Sequence, residues 1–342
     1  MAMTSRERVL CALNLKEPDR VPYCESNIDP VVAAKLLNLE QPKEIADGSY
    51  FFRSVEVEKA LSRLLHRDNI SCRMIPPLFA EKGSGKDGRQ FYGKGLIQGD
   101  KDLALLELPD PYDDDLYKEA EDYVKNKGEY ALACRTRLGI APTYLSMGFE
   151  GFYYAIYDNP KLIDKVLSIY SEWARVVVGR LCTLGFDFIW SADDLAWKKG
   201  PMFSPEFFRS MMIPKIKKIV EKITIPWVHH SDGNIIPLLD DLVDLGLNGI
   251  HPLEGNALDI NYVKKTYGSR ICLIGNIDVN TLSAGTPEEV TSAVKQRIRD
   301  IGPGGGYMVS SGNSIAAYCL PENVVAMAEA IQRFGKYPIH VD

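Results

Sequence analysis

From residue 131 onward the chain repeats one unit: a short apolar strand, a few polar residues, then an amphipathic helix. ALACRTRL (131–138) reads as a strand and leads through GIAPTYLSMGFEGFYYAI to the helix at 161–185. FDFIWSADD (186–194) is the next strand, and residues 204–223 form a helix entered by Ser204 with Pro205 at its first position. IPWVHHSD and the segments 247–251, 270–278 and 306–313 continue the strand series. They alternate with helices over 235–245, 259–267, from Thr286, and through PENVVAMAEAIQRFG. Short connections between alternating strands and helices predict a parallel sheet with helical crossovers. Polar residues gather just after strand after strand: Asp193/Asp194, His230/Asp232, His251/Glu254, Asn276/Asp278 and Ser311/Asn313. In a (β/α)8 barrel these ends surround one site, whereas an open sheet spreads them along an edge. The expected fold is therefore an α/β protein, a (β/α)8 TIM barrel with an elaborated N-terminal region, forming one domain over residues 1–342.

The N-terminal third is less regular. TSRERVLCALNL (4–15) is an amphipathic helix capped by Thr4 or Ser5, with Val9, Leu10, Leu13 and Leu15 on its apolar side, and Pro18 ends it. RVPYCES (20–26) reads as the first strand. Residues 30–65 are helical in two pieces, the second being SYFFRSVEVEKALSRLL, and two or three strands follow across 70–99 around the loop EKGSGKDGRQ. The GSGK fragment of that loop lacks the upstream Gly and the Ser/Thr after Lys86 of a phosphate loop, so it is no nucleotide site. Asp110–Asp115 opens a helix running to about Gly128, its acidic start favoured by the helix dipole.

Composition excludes several function classes. A net charge of −6 over 342 residues leaves no basic footprint for nucleic acid. No run approaches the ~20 apolar residues of a membrane span, and MAMTSRERVLCALNLKEPDRVP lacks the apolar core of a signal peptide. Seven cysteines are scattered without a CxxC, as expected of reduced, structural thiols in a cytoplasmic protein.

Chemistry concentrates in Pro226–Gly255, which holds three of the five histidines, His229, His230 and His251, beside Asp232 and Glu254. On a strand, alternate side chains share a face, so His230 and Asp232 point together and away from His229. Imidazole and carboxylate converging at strand ends can bind a divalent metal or run acid–base chemistry. His230, Asp232, Glu254 and His251 are the candidate metal ligands, and Asp193, Asp194, Asp232 and Glu254 the candidate catalytic carboxylates. Competing structural readings stand beside these. Only one of Asp193 and Asp194 can face the site, and the other would cap the following loop. His251 is out of phase with Glu254 unless the chain bends at Pro252. Asn276 and Asp278 fit a turn. Tyr153, Tyr154 and Trp190 fit either an aromatic pocket or core.

The segments GFDFIWSADDLAWKKGPMFSPEFFRSMMIPKIKKIV, HHSDGNIIPLLDDLVDLGLNGIHPLEG, LIGNIDVNTLSAGTPEEV and GGGYMVSSGNSI together resemble the uroporphyrinogen decarboxylase superfamily. The likeness covers residues 130–335 well and the N-terminal third loosely. It implies one of two activities on a (β/α)8 barrel: decarboxylation of a porphyrinogen, or methyl transfer involving a corrinoid protein or thiol. The true decarboxylase carries an Arg-rich segment after its first strand, and here that place reads RVPYCESNIDP. Holding eight carboxylates without those arginines is physically hard. The thiol-activating methyltransferases carry His-x-Cys and a later Cys as Zn²⁺ ligands. Here His230-Ser231-Asp232 takes the first place and Asn313 falls near the second, so both thiolates are missing.

A harder His/carboxylate site suits an oxygen ligand such as an ether or phenolate. The resemblance thus implies a corrinoid-dependent O-demethylase methyltransferase, moving methyl from a methoxylated, small-molecule donor to Co(I) of a separate corrinoid protein, with Zn²⁺ at His230. Metal or a proton from Glu254 or Asp232 would assist the leaving oxygen. The alternatives are a metal-free decarboxylase acting on a tetrapyrrole or other acid, and a binding protein that kept the barrel but lost the cysteines. Homodimerisation is left open by the sequence.

Overall fold

The computed structural model describes residues 2–40, 54–84 and 90–340, and the start of the second N-terminal helix piece and the centre of the GSGK loop lie outside them. Its strands, numbered in chain order, are β1 (Asn69–Arg73), β2 (Ala80–Ser84), β3 (Gln90–Gly95), β4 (Ala131–Thr136), β5 (Phe188–Ala192), β6 (Ala196–Trp197), β7 (Gly200–Pro201), β8 (Trp227–His230), β9 (Gly249–His251), β10 (Cys272–Ile274) and β11 (Tyr307–Met308). Seven of them form a parallel sheet in the order β1-β4-β5-β8-β9-β10-β11. The expected first strand, 20–26, joins its two ends. Tyr23 bridges Val309 in parallel, and the Asp68 amide donates to the Tyr23 carbonyl. The segment supplies the eighth stave of the (β/α)8 barrel.

Strand alternation divides the core in two. Cys24, Ala131, Ala133, Phe188, Trp190, Val228, Cys272, Ile274 and Met308 pack together inside the barrel, while Leu132, Ile189, Trp227, Ile250 and Leu273 pack outward against helices. The helix Ser5–Leu13 adds Val9, Ala12 and Leu13 to the inner cluster and so plugs one end. Its start is fixed by a capping box in which Thr4 Oγ1 accepts from the Glu7 amide and the Glu7 carboxylate accepts from the Thr4 amide. Burying Val9 and Leu13 is worth about 1.5–3 kcal/mol each.

Three elements depart from expectation. The link at 139–156 is two helices, Ile140–Met147 and Phe149–Asp158, divided at Gly148, where φ is +71° and a Cβ would sit 2.8 Å from the Gly95 amide nitrogen. The helix expected over 204–223 contains a π turn at Phe208–Met212, because Pro214 has no N–H to continue the α pattern. The loop EKGSGKDGRQ runs into both strands of the antiparallel β2–β3 hairpin. No helix among the described residues is long and apolar enough to cross a membrane.

Asp68 ties plug, closing strand and sheet together. Fully buried, it accepts from Arg8 Nη1 at 2.6 Å, from Arg20 Nη1 at 2.8 Å and from the Tyr23 amide at 2.9 Å. Removing one partner of a buried ion pair strands the others. Asp68→Ala should lower stability by about 3–5 kcal/mol in urea unfolding, whereas the exposed pair Lys118–Asp115 should be near neutral when broken.

Candidate active site

The strand ends place a compact polar cluster at one mouth of the barrel. His230 ends β8 on the inner face. Its Nε2 lies 3.8 Å from Asp194 Oδ1 and 3.7 Å from Asp232 Oδ1. One ligand atom from each of Asp194, His230 and Asp232 falls within 4.8 Å of the other two. The Asp232 amide donates to Asp194 Oδ1 at 3.1 Å, and Asn313 Nδ2 donates to Asp232 Oδ2 at 2.7 Å. Asp232 Oδ1, by contrast, is buried without a hydrogen-bond partner. An imidazole nitrogen, two carboxylates and an orphaned carboxylate oxygen fit a divalent cation. Burial, then the charges of Asp194 and Glu254, raise the Asp232 carboxyl from its usual 3.8 to about 7.

Behind this cluster runs a chain of hydrogen bonds. His230 Nδ1 meets His251 Nδ1 at 2.7 Å, His251 Nε2 meets Ser310 Oγ at 3.1 Å, and Ser310 Oγ donates to Glu25 Oε2 at 3.3 Å. Burial drives both imidazoles to the neutral form. His230 is lowered to about 4, with the charges of Arg135 and Arg137 adding to burial, and His251 falls well below 6.5. Each neutral ring has one N–H. When Glu25 is ionised the Ser310 proton goes to it, so Ser310 accepts from His251 Nε2–H, and His251 Nδ1 then accepts from His230 Nδ1–H. We assign the His230 proton to Nδ1 on this ground, which leaves the Nε2 lone pair facing the two aspartates.

The structure sorts the other candidates. Asp193 is fully buried and both its oxygens accept backbone amides, from Leu138 and Ala141 at 2.7 Å each. It fastens the turn after β4, and of the adjacent pair Asp194 faces the mouth. His251 has both ring nitrogens engaged behind His230 and edge-on contact with Trp190 at 5.0 Å. Expected among the metal ligands, it instead lies behind the Asp194–His230–Asp232 group. Glu254 also stands outside the triad: its Oε2 accepts from the Gly233 amide at 3.1 Å, and it reaches Asp232 only through its charge. His229 points outward to Ser191 Oγ at 2.8 Å, and burial lowers it to about 3. Asp278 caps the helix Val279–Ala284, and Asn276 donates to the Leu253 carbonyl. Trp190 is barrel core, Tyr153 packs on Phe152, and Tyr154 is exposed.

Four residues at this mouth escaped sequence reasoning. Glu25 and Ser310 build the chain behind His230, while Arg135 and Arg137 act on it electrostatically. The alternating Arg-x-Arg at the end of β4 was the one available signal.

A model of the uroporphyrinogen decarboxylase (URO-D) family matches residues 141–334, more than half of the chain. The chain belongs to that family. Among curated relatives, a uroporphyrinogen decarboxylase of Thioalkalivibrio sulfidiphilus is 24% identical over 190 residues, covering 53% of this chain and 51% of the relative. The methylcobamide:CoM methyltransferase MtaA of Methanosarcina barkeri is 28% identical over 170 residues, covering 49% and 48%. The chain thus spans about half the length of the curated relatives it matches. A solved methyltransferase from Methanosarcina mazei superposes with a TM-score of 0.76 over 97% of this chain and 99% of that one. At 20% identity that likeness speaks for the fold.

Glu25 gives the cluster a pH signature. Burial raises its carboxyl from 4.5 to about 7 against the opposing bonds from Ser311 and Ser310. Between those values the native protein holds a proton that the unfolded chain has lost, so stability falls as pH rises through the window. Glu25→Gln should remove this slope. Relative to the variant, the wild type should lose on the order of 3 kcal/mol between about pH 4.5 and 7.5, read from urea unfolding at each pH.

Proposed function

We propose that this URO-D family member is a methyltransferase that takes a methyl group from a methoxylated, ether-type donor and passes it to the Co(I) corrinoid of a separate protein. The observation that carries the reading is the Asp194–His230–Asp232 cluster. His230-x-Asp232 takes the place of the metal-binding His-x-Cys of the thiol-activating branch, and Asn313, near the later Cys position, donates to Asp232. Zn²⁺ held by His230, Asp232 and Asp194 would supply Lewis acidity toward the ether oxygen, stronger than with thiolate ligands.

The residues define the rest of the step. His230 offers the Nε2 lone pair because His251 takes its Nδ1–H. Asn313 fixes one Asp232 oxygen and leaves the other aimed at the cluster. The methyl carbon moves to the acceptor's electron pair, the carbon–oxygen bond breaks, and the oxygen leaves with the bonding pair and takes up a proton. With Asp232 committed to the metal, Glu254, which accepts from the Gly233 amide beside it, is the neighbouring carboxyl through which that proton would pass.

A decarboxylase acting on an acid is the second reading, favoured by Arg73, Arg135 and Arg137 on the β1–β4 side of the mouth and by the decarboxylases among the relatives. Zinc content and turnover separate the two. The purified wild type should carry near-stoichiometric zinc and transfer methyl only when a reduced corrinoid protein is added. His230→Ala should lose both zinc and transfer with its fold intact, since losing one of about three protein ligands destroys a catalytic zinc site. His229→Ala should cost stability more than turnover. Full zinc and turnover in His230→Ala, or carbon dioxide release from a porphyrinogen without metal, would overturn the methyl-transfer reading.

A further inference from the structure

Glu25 lies at the far end of the hydrogen-bond chain, with Ser310 and His251 between it and His230. One side chain holds its backbone from both sides: the Glu25 amide donates to Asn69 Oδ1 and the Glu25 carbonyl accepts from Asn69 Nδ2, each at 3.0 Å. The carboxylate is fully buried, and its two oxygens are not equivalent. Oε1 accepts the Ser311 amide at 2.8 Å, whereas Oε2 faces two hydroxyls, Ser311 Oγ at 2.7 Å and Ser310 Oγ at 3.3 Å. A backbone amide can only donate, so the Oε1 position is an acceptor in every state. The end of the group that meets Ser310 is therefore the end whose donor character can change.

Each link from Oε2 to His230 Nδ1 holds one proton, so the chain has two self-consistent arrangements. With an acceptor at the Oε2 position, Ser310 donates to Glu25, His251 donates from Nε2, and His230 donates from Nδ1. The His230 Nε2 lone pair then faces Asp194 and Asp232, 3.8 and 3.7 Å away. With a donor at the Oε2 position every link reverses. Ser310 donates to His251 Nε2, His251 donates from Nδ1, and the His230 proton moves to Nε2. That arrangement sets an N–H where a cation needs a lone pair. Both rings stay neutral throughout, so the two arrangements differ in direction and carry the same charge on the histidines.

We propose that Glu25 is a positioning residue: by accepting at Oε2 it keeps the His230 proton on Nδ1, and through that tautomer it sets the cation affinity of a cluster it meets only by way of Ser310 and His251. The step from tautomer to affinity rests on the reading of His230 as a metal ligand, whereas the placement of the proton does not. Glutamine at this position has nearly the same shape and inverts the signal. The Ser311 amide keeps the glutamine carbonyl at the Oε1 position, since the opposite orientation would set two N–H donors against each other. The glutamine Nε2 then takes the Oε2 position, with one N–H for Ser310 and one for Ser311. Ser310 is left to donate to His251, and the whole chain reverses.

Heteronuclear NMR of histidine-labelled, metal-free protein tests this at about pH 8.5, where Glu25 is ionised. Five rings give a spectrum simple enough to assign. His230 should carry its proton on Nδ1 in the wild type and on Nε2 in Glu25→Gln. His229, bonded to Ser191 on the outer side of the strand, should keep its tautomer in both and so reports the fold. Zinc affinity, read by competition with a chromophoric chelator, should fall about 10–100-fold in Glu25→Gln. Ser310→Ala cuts the relay, and adding Glu25→Gln to it should change zinc affinity by no more than about twofold. A purely structural role for Glu25 would weaken zinc equally in both backgrounds, and that result would overturn the proposal. An unchanged His230 tautomer in Glu25→Gln would overturn it as well. A wild type that shows the Nδ1 proton, loses it in Glu25→Gln and binds no zinc would sink the metal in the methyl-transfer reading, while establishing that Glu25 places the proton.

Discussion

Two imidazoles face each other inside the barrel, Nδ1 to Nδ1 at 2.7 Å, and only one of them can donate. Everything the mouth can do depends on which. Trp190 closes one side of His251, and Ser310, itself donating to Glu25, closes the other. With Ser310 Oγ as its acceptor, His251 must turn its lone pair toward His230, and His230 must turn its own toward Asp194 and Asp232. The relay sets the direction of a lone pair without holding a charge at His230 or His251. Burial and the nearby guanidiniums keep both rings neutral, the form in which an imidazole can ligate a cation. A charged His230 would instead form ion pairs with the two aspartates and occupy the place where a ligand fits.

The sequence exposed the barrel because its signal is repetitive: strand after strand ends in polar residues, and helices alternate with the strands throughout. The same alternation separated His230 from His229 correctly, since both lie within a strand where the period of two holds. It failed one or two residues beyond the strand ends. Asp193 and Asp194 follow β5, and nothing in their order shows that Leu138 and Ala141 present amides to the first of them. His251 and Glu254 are divided by Pro252 and by Leu253 at φ +59°, so strand phase does not carry across. Glu25, Ser310 and the arginines belong to staves distant in sequence. Their meeting follows from barrel closure and register, which periodicity does not encode.

The electrostatics of the mouth follow from that register. Carboxylates come from the ends of β5, β8 and β9, and guanidiniums from β1 and β4, so the two signs occupy different sectors of the sheet. Within the acidic sector burial, then the charges of Asp194 and Glu254, raise the proton affinity of Asp232. A cation there relieves the same repulsion that a proton relieves, and the two compete for one oxygen. Thiolates in place of Asp232 and Asn313 would add charge and softness without the hydrogen bond that now fixes the Asp232 oxygen.

The basic sector also reaches the histidines. The charges of Arg135 and Arg137 add to burial in depressing the proton affinity of His230, and Arg135 acts on His251 as well. Guanidiniums on the β4 side thus help keep His230 in the neutral form whose Nε2 can ligate a cation, while Asp194 and Asp232 supply the negative charge beside it.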